Sequence, residues 1–365
     1  MSEILYDQVK AAQYMAKLLR AKYFNIEEGD NFFDYIRGIG GNLKRLLRGV
    51  IEDVKDSRGS ISEKENLLNS LFHTQGSSLN CLGRNLCTIA EEYPYIKTFI
   101  MERSLKICEE ISKYQTSDAK NYEVARKKFE TILGFSRDAL DFLEFTYIYK
   151  TNDYVDYYLN NDIDVWKARN RKILACIVDM DISRLDDAID ELETCQILEI
   201  NTGNGFGLGV ELRYAAIKIF EHPDINPKDL FCAQMKGETL PLDNFNIPKE
   251  DLNYIIRLLK SKSSAPVHIM LYGPPGTGKT TFARSLSKTL GLKAFTINVR
   301  DGLTSESPTS IIACMNIASK HSGGFVVVDE AEKFLDVSLR DNSQERGKDK
   351  LWLNTLLEKP NNHVI

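Results

Sequence analysis

Eight consecutive residues in the last third of the chain combine glycines, a lysine and a threonine at a spacing that could bind phosphate. They are Gly273, Pro274, Pro275, Gly276, Thr277, Gly278, Lys279 and Thr280, in the pattern G-x-x-x-x-G-K-[ST]. Glycines lack a Cβ atom, so backbone N–H groups can surround phosphate oxygens. Lys279 would reach the β- and γ-phosphates, and the Thr280 hydroxyl would ligate Mg²⁺. We predict a site for ATP and Mg²⁺ that also includes Thr281; the alternative is an ordinary Gly/Pro turn.

Two neighbouring carboxylates further along the chain could complete this chemistry. Asp329 and Glu330 follow the apolar run 325–328. Asp329 would hold Mg²⁺, directly or through water, beside the Thr280 hydroxyl. Glu330 would orient and partly deprotonate the water that attacks the γ-phosphate, which makes Glu330 and Lys279 the candidate catalytic residues. The alternative is that the pair only caps a helix predicted at 331–335.

Strands that alternate with helices must position these residues. The pattern predicts a short buried strand at 267–272, a helix at 280–290, a strand at 294–299, a helix at 308–319 and a strand at 325–330. Such alternation is typical of a parallel sheet. Ligand sites of parallel sheets lie beyond the carboxyl ends of the strands. We therefore expect the glycine loop and the carboxylate pair to meet in space, in an α/β P-loop core.

The rest of the chain has a different pattern. Residues 1–160 show helical spacing throughout and predict an all-α N-terminal domain, with one long amphipathic helix at 122–149. Its basic cluster, Arg126, Lys127 and Lys128, is interleaved with acidic residues and is more typical of a solvated helix face than of a nucleic-acid site. Residues 221–247 are rich in proline and predict a linker, followed by a helix at 248–260 that opens the ATPase domain at 248–365.

Residues 163–220 predict a small winged-helix-like module. The expected elements are helices at 171–180 and 182–195 and strands at 197–200 and 207–212. The second helix, which would be the recognition helix, carries several acidic residues and Arg184 as its one basic residue. Because such a face repels phosphates, we interpret the module as a protein-contact or spacer element.

Composition excludes several other classes of protein. The 365 residues are 43% hydrophobic and 27% charged with a net charge of −5, which is ordinary for a globular protein and does not favour a nucleic-acid partner. The seven cysteines are scattered without a CxxC pair, which argues against a disulfide framework and against zinc. We find no signal peptide and no apolar run of membrane-spanning length, so we predict a cytoplasmic protein with no membrane association.

Residues 238–365 resemble the AAA+ ATPase family, within which they look most like the AAA subgroup of remodelling ATPases. Residues 273–280 are similar to its Walker A motif, 325–330 to its Walker B motif, and 348–358 to the helix that follows Walker B. The resemblance implies a homo-oligomeric ring, usually a hexamer, with ATP held between subunits. It also implies a sensor-1 residue, a trans-acting arginine and a helical lid. No residue here matches these, since the chain stops where His363, Val364 and Ile365 would begin the sensor-1 strand. We therefore expect this chain to bind nucleotide weakly and to hydrolyse it more slowly than a longer chain would.

Three functions are compatible with the sequence. The first is an ATP-hydrolysing machine that remodels a protein partner recognised by the helical N-terminal region. The second is a non-hydrolysing nucleotide switch or assembly scaffold. The third is a DNA-associated motor, which the predicted winged helix alone favours. Residues 300–307, where many threading members of the family carry an aromatic pore loop, contain no aromatic residue.

Overall fold

A computed structural model of the chain gives its fold. The structure describes residues 4–21, 43–56, 93–153, 168–200, 210–261, 265–297, 308–320, 324–329 and 363–365, with isolated positions at 23, 33, 35–36, 38, 65–66, 69, 90, 155–156 and 357–358. These residues form two units. The first contains Met1–Glu123, Arg137–Ile189 and Ile200–Glu211, and the second contains Val124–Ser136, Asp190–Glu199 and Leu212–Ile365.

Helices make up the described N-terminal region, as the sequence predicts. They are α1 (Tyr6–Arg20), α2 (Leu43–Asp56), α3 (Pro94–Ile111), α4 (Ala119–Leu133), α5 (Arg137–Thr151), α6 (Ala168–Val178) and α7 (Ile182–Thr194). In the first unit α3 packs against both α1 and α2, and α1 also packs against α6. Alanines and leucines on α1 are buried in this contact, because residues three and four apart share one face of a helix.

The single helix predicted at 122–149 is wrong, since α4 and α5 are separate. The break lies at Gly134, whose φ of +76° is left-handed. Its N–H still donates to the Glu130 carbonyl at 3.1 Å, which closes the last turn of α4. Residues 124–136 then belong to the second unit and α5 to the first. The apolar spacing continues across the glycine, which is why periodicity alone does not reveal the break.

The winged-helix-like segment contains the predicted order of elements. After α6 and α7 come β1 (Leu198–Ile200) and β2 (Val210–Leu212), which pair in a two-stranded sheet. Helix α8 (Tyr214–Glu221) follows. Whether this arrangement is a winged helix stays a prediction.

A mixed sheet forms the centre of the second unit. Its strands are β3 (Cys232–Gln234), β4 (Ala294–Ile297) and β5 (Phe325–Val327), in that order. β3 runs antiparallel to β4, and β4 runs parallel to β5 with Ala294 opposite Phe325. Besides α8, this unit contains the helices α9 (Pro227–Phe231), α10 (Lys249–Lys260), α11 (Lys279–Leu290) and α12 (Pro308–Ser319). The architecture is helix-rich with a small mixed sheet, which fits an α/β P-loop fold.

Two predictions for this unit need correction. The linker expected at 221–247 contains α9 and β3, and β3 makes the sheet mixed instead of purely parallel. The strand expected at 267–272 is reduced to a single bridge at His268, and Met270 and Tyr272 are 73% and 91% exposed. Pairing supports only residues 267–269, because the chain then turns into the glycine loop.

Candidate functional site

The glycine loop at 273–278 ends directly in the first turn of α11. Gly276 and Gly278 have φ values of +79° and +86°, a backbone conformation that side chains with a Cβ atom rarely adopt. Gly278 is the N-cap of α11, and its carbonyl accepts the Phe282 N–H at 2.8 Å. Unsatisfied N–H groups at a helix N-terminus favour anions, so the loop and α11 together can bind phosphate.

The Lys279 side chain folds back onto the glycine loop. Its ammonium group donates to the carbonyl oxygens of Gly273 at 2.8 Å and Pro274 at 3.1 Å. The Thr277 hydroxyl donates to the same Pro274 carbonyl at 2.9 Å. These bonds hold the positive charge beside the N-terminus of α11, where a β- or γ-phosphate would be an alternative acceptor.

The structure brings Thr280 and Asp329 together, as the sequence predicts. The Thr280 hydroxyl donates to Oδ2 of Asp329 at 3.2 Å. A hydroxyl and a carboxylate at the mouth of a phosphate loop are hard oxygen ligands of the kind that Mg²⁺ prefers. Asp329 is exposed, so a hydrated ion can reach it. The donor set therefore fits Mg²⁺, which would neutralise phosphate charge. Glu330 lies outside the described residues, and its role stays a prediction.

Residues 363–365 join the two halves of the site. Val364 bridges His268 and Val326, in parallel with each. The Val364 carbonyl accepts from Ile269 at 2.9 Å, and the Ile365 N–H donates to Val326 at 2.8 Å. The segment thus lies between residues 267–269, which lead into the glycine loop, and β5, which leads to Asp329. Through this insertion both carboxyl ends reach the same edge of the sheet.

His363 adds a side-chain contact to this junction. Its Nδ1 accepts the backbone N–H of Val267 at 3.1 Å. Burial, and secondarily the nearby His268, lower the pKa of His363. The neutral ring that this favours is the form with a lone pair for that bond.

The segment 237–245 lies along α11, a contact that the linker prediction missed. The Leu240 N–H donates to the buried Ser285 hydroxyl at 2.9 Å, and Lys288 donates to the Thr239 hydroxyl at 3.1 Å. The Phe245 ring packs edge-on against Phe282 at 5.2 Å. Phe245 in a proline-rich stretch was the available signal, since an aromatic residue in a true linker would have nothing to pack against. These contacts position the helix that carries Lys279 and Thr280.

Comparison with known proteins agrees with this geometry. Residues 269–364 match the family "ATPase family associated with various cellular activities (AAA)". This part of the chain resembles the AAA+ ATPases. No solved structure matches the chain.

Two kinds of relative match the chain over short stretches. Adenylate kinase 9 of Mus musculus is 35% identical over 88 residues, which are 24% of this chain and 5% of that protein. Holliday junction branch migration complex subunit RuvB of Lacticaseibacillus casei is 33% identical over 85 residues, which are 23% of this chain and 24% of that protein. The chain thus spans about a quarter or less of the length of these relatives. Together with the AAA match, the similarity supports a nucleotide-dependent AAA+ ATPase in general.

Among the described residues, none of the helices combines the length and the apolar character needed to cross a bilayer.

Proposed function

We propose that this chain binds ATP and Mg²⁺ through residues 273–281 and Asp329, hydrolyses ATP with Glu330 as the base, and remodels a protein partner. The observation that carries the proposal is the contact between Thr280 and Asp329 beside the Lys279 ammonium group. A phosphate cradle alone is compatible with simple nucleotide binding. A phosphate loop whose threonine hydroxyl contacts a carboxylate could hold a metal ion beside the phosphates. Phosphoryl transfer requires that arrangement.

The helical N-terminal region is the proposed site of partner recognition, and a homo-oligomeric ring is the proposed assembly. Ring formation would supply the trans-acting arginine that the family resemblance implies and that no described residue provides. The second candidate, a non-hydrolysing switch or scaffold, would use the same loop only to set the assembly state.

Substitution Glu330→Gln distinguishes these two functions, with Glu250→Gln, at an exposed position on α10, as the matched control. In a hydrolysing enzyme it stops turnover and traps ATP, so the assembled form persists in size-exclusion chromatography with ATP. In a switch it changes neither turnover nor assembly. Phosphate release and elution volume are the measurements. Turnover that survives Glu330→Gln at the level of Glu250→Gln would reject the hydrolytic proposal.

A DNA-associated function is kept as a further candidate because of the partial similarity to RuvB. The described charges of α7 disfavour it. Arg184 is held by Asp138 through bonds of 2.6 and 2.8 Å, and Asp186 pairs with Arg171 at 2.8 Å. The basic groups are thus neutralised within the protein, and phosphates would meet a largely acidic helix. A salt-dependent gel shift of duplex DNA by the whole chain would favour the DNA function.

A further inference from the structure

A groove in the second unit lies apart from the nucleotide loop. One face of α4 forms its first wall, and the start of α9 and the end of α12 complete it. Its volume is about 480 Å³. Sites that bind small molecules typically measure roughly 300–1,000 Å³. The groove is therefore large enough for a compact organic ligand.

The floor of the groove is apolar. Ile132 and Ile317 are 8% and 3% exposed, and Pro227 is also buried. Val124 extends the apolar surface to the rim, where 37% of it is exposed. Such a floor gains free energy by covering an apolar ligand body, because both surfaces leave water.

Two lysines hold the walls in place. Lys128 donates to the carbonyl of Pro223 and, at 2.6 Å, to that of Ile225, which fixes the segment before α9 onto α4. Lys320 donates to the Thr131 carbonyl at 2.6 Å, which fixes the end of α12 onto α4. Partial burial lowers the pKa of Lys128. These bonds make the groove a built feature of the unit.

Two further lysines form the rim and are available to a ligand. Lys127 and Lys228 line the groove and are exposed, and neither has an acidic partner within the described part of the chain. None of the described residues that line the groove is acidic. Asp224, the acidic residue that acts on Lys128, lies outside this lining. The rim is therefore positively charged above an apolar floor.

The geometry points to a binding site for a small organic anion, a molecule with a compact apolar body and one or two carboxylate or sulfonate groups. The body packs on Ile132, Ile317 and Pro227, and the anionic group pairs with Lys127 or Lys228 in a charge-assisted hydrogen bond. A nucleic-acid backbone would leave the apolar floor uncovered.

A matched pair of fluorescent probes tests the inference on the whole chain. 8-Anilinonaphthalene-1-sulfonate is a compact apolar anion, and N-phenyl-1-naphthylamine is the same molecule without the sulfonate. We expect saturable binding of the anion at one site. The double substitution Lys127→Glu with Lys228→Glu should weaken it at least about tenfold, because attraction is replaced by like-charge repulsion. Binding of the neutral probe should be unchanged.

Two further variants control for charge and for folding. Lys120→Glu reverses one charge at an exposed position on α4 that does not line the groove, and it should leave both affinities unchanged. Val124→Trp fills the groove from a partly exposed position and should block both probes while far-UV circular dichroism stays native.

Three results would overturn the assignment. The first is anion binding that survives both the double charge reversal and Val124→Trp. The second is an equal loss in Lys120→Glu. The third is displacement of the anion by a labelled peptide of alternating glutamate and leucine that binds more tightly than the anion does. The groove would then bind a protein partner.

Discussion

The Thr280 hydroxyl lies 3.2 Å from Oδ2 of Asp329, although 49 positions separate the two residues in the chain. The first residue follows the glycine loop and the second follows β5. Both strand ends are held together by Val364, which bridges His268 and Val326. The metal-binding half of the candidate site is thus a product of sheet pairing, and the phosphate-binding half is a product of local sequence. Their proximity is the basis of the predictions on nucleotide binding.

Removing the Lys279 ammonium group should strongly weaken ATP binding. Charge-assisted hydrogen bonds contribute about 1.5–3 kcal/mol each, so Lys279→Ala should weaken affinity at least about tenfold. Titration with a fluorescent ATP analogue measures the change. Lys288→Ala is the matched control, because Lys288 lies on the same helix and donates to Thr239 at 3.1 Å, away from the loop. Equal losses in both variants would contradict the assignment of Lys279.

Removing the Asp329 charge should uncouple ATP affinity from Mg²⁺. In the native chain, chelation of Mg²⁺ with EDTA should weaken ATP binding, because the ion bridges protein oxygens and phosphate charge. In Asp329→Asn the affinity with Mg²⁺ should fall to the value measured in EDTA. Asp243→Asn, at an exposed position in the second unit, should keep the full response to Mg²⁺. A response that is unchanged in Asp329→Asn would remove Asp329 from the metal site.

A Cβ atom at Gly278 should cost both stability and nucleotide affinity. Its φ of +86° is left-handed, which costs about 1–2 kcal/mol for a residue with a Cβ atom. Gly134→Ala is the control, since φ there is +76° and no atom lies within 4 Å of the added Cβ. Both variants should lower the free energy of unfolding in urea by a similar amount. Only Gly278→Ala should weaken ATP binding, and equal affinities would contradict the role of the loop.

The buried thiol of Cys108 should make the protein less stable at alkaline pH. Burial, aided by the Glu109 carboxylate, raises the pKa of Cys108 from an ordinary value of 9.0 to about 12. The unfolded chain therefore loses this proton first, and the free energy of unfolding falls as pH rises from 9 toward 12. One such group contributes a loss of about 1.4 kcal/mol at pH 10.

Substitution of Cys108 by alanine isolates that contribution. The variant should be less stable at neutral pH, because it leaves a small cavity, but its stability should decline less between pH 8 and pH 10. Urea unfolding followed by far-UV circular dichroism at the two pH values measures the difference. Identical declines in the native chain and the variant would show that Cys108 does not titrate differently on unfolding.

The sequence by itself determined the chemistry of the phosphate loop. The roles proposed for Gly276, Gly278, Lys279 and Thr280 depend on fixed local spacing. The helix at 308–319 was predicted with its observed bounds because its apolar pattern is continuous. The proximity of Asp329 also followed from sequence, through the rule that parallel strands end at one edge. Each of these inferences depends on patterns that a short window of residues carries.

Tertiary structure alone decided the rest. β3 has only three residues, too few for a strand period to be recognised. It is stabilised by pairing with β4, in which Thr296 lies 63 positions after its partner Ala233. The break at Gly134 depends on a backbone angle, and apolar spacing does not encode that angle. The basic cluster at Lys127 and Lys128 became part of a groove only because α9 and α12 pack against α4. Pairings between distant segments are chosen by packing of the whole unit, so local sequence patterns do not contain them.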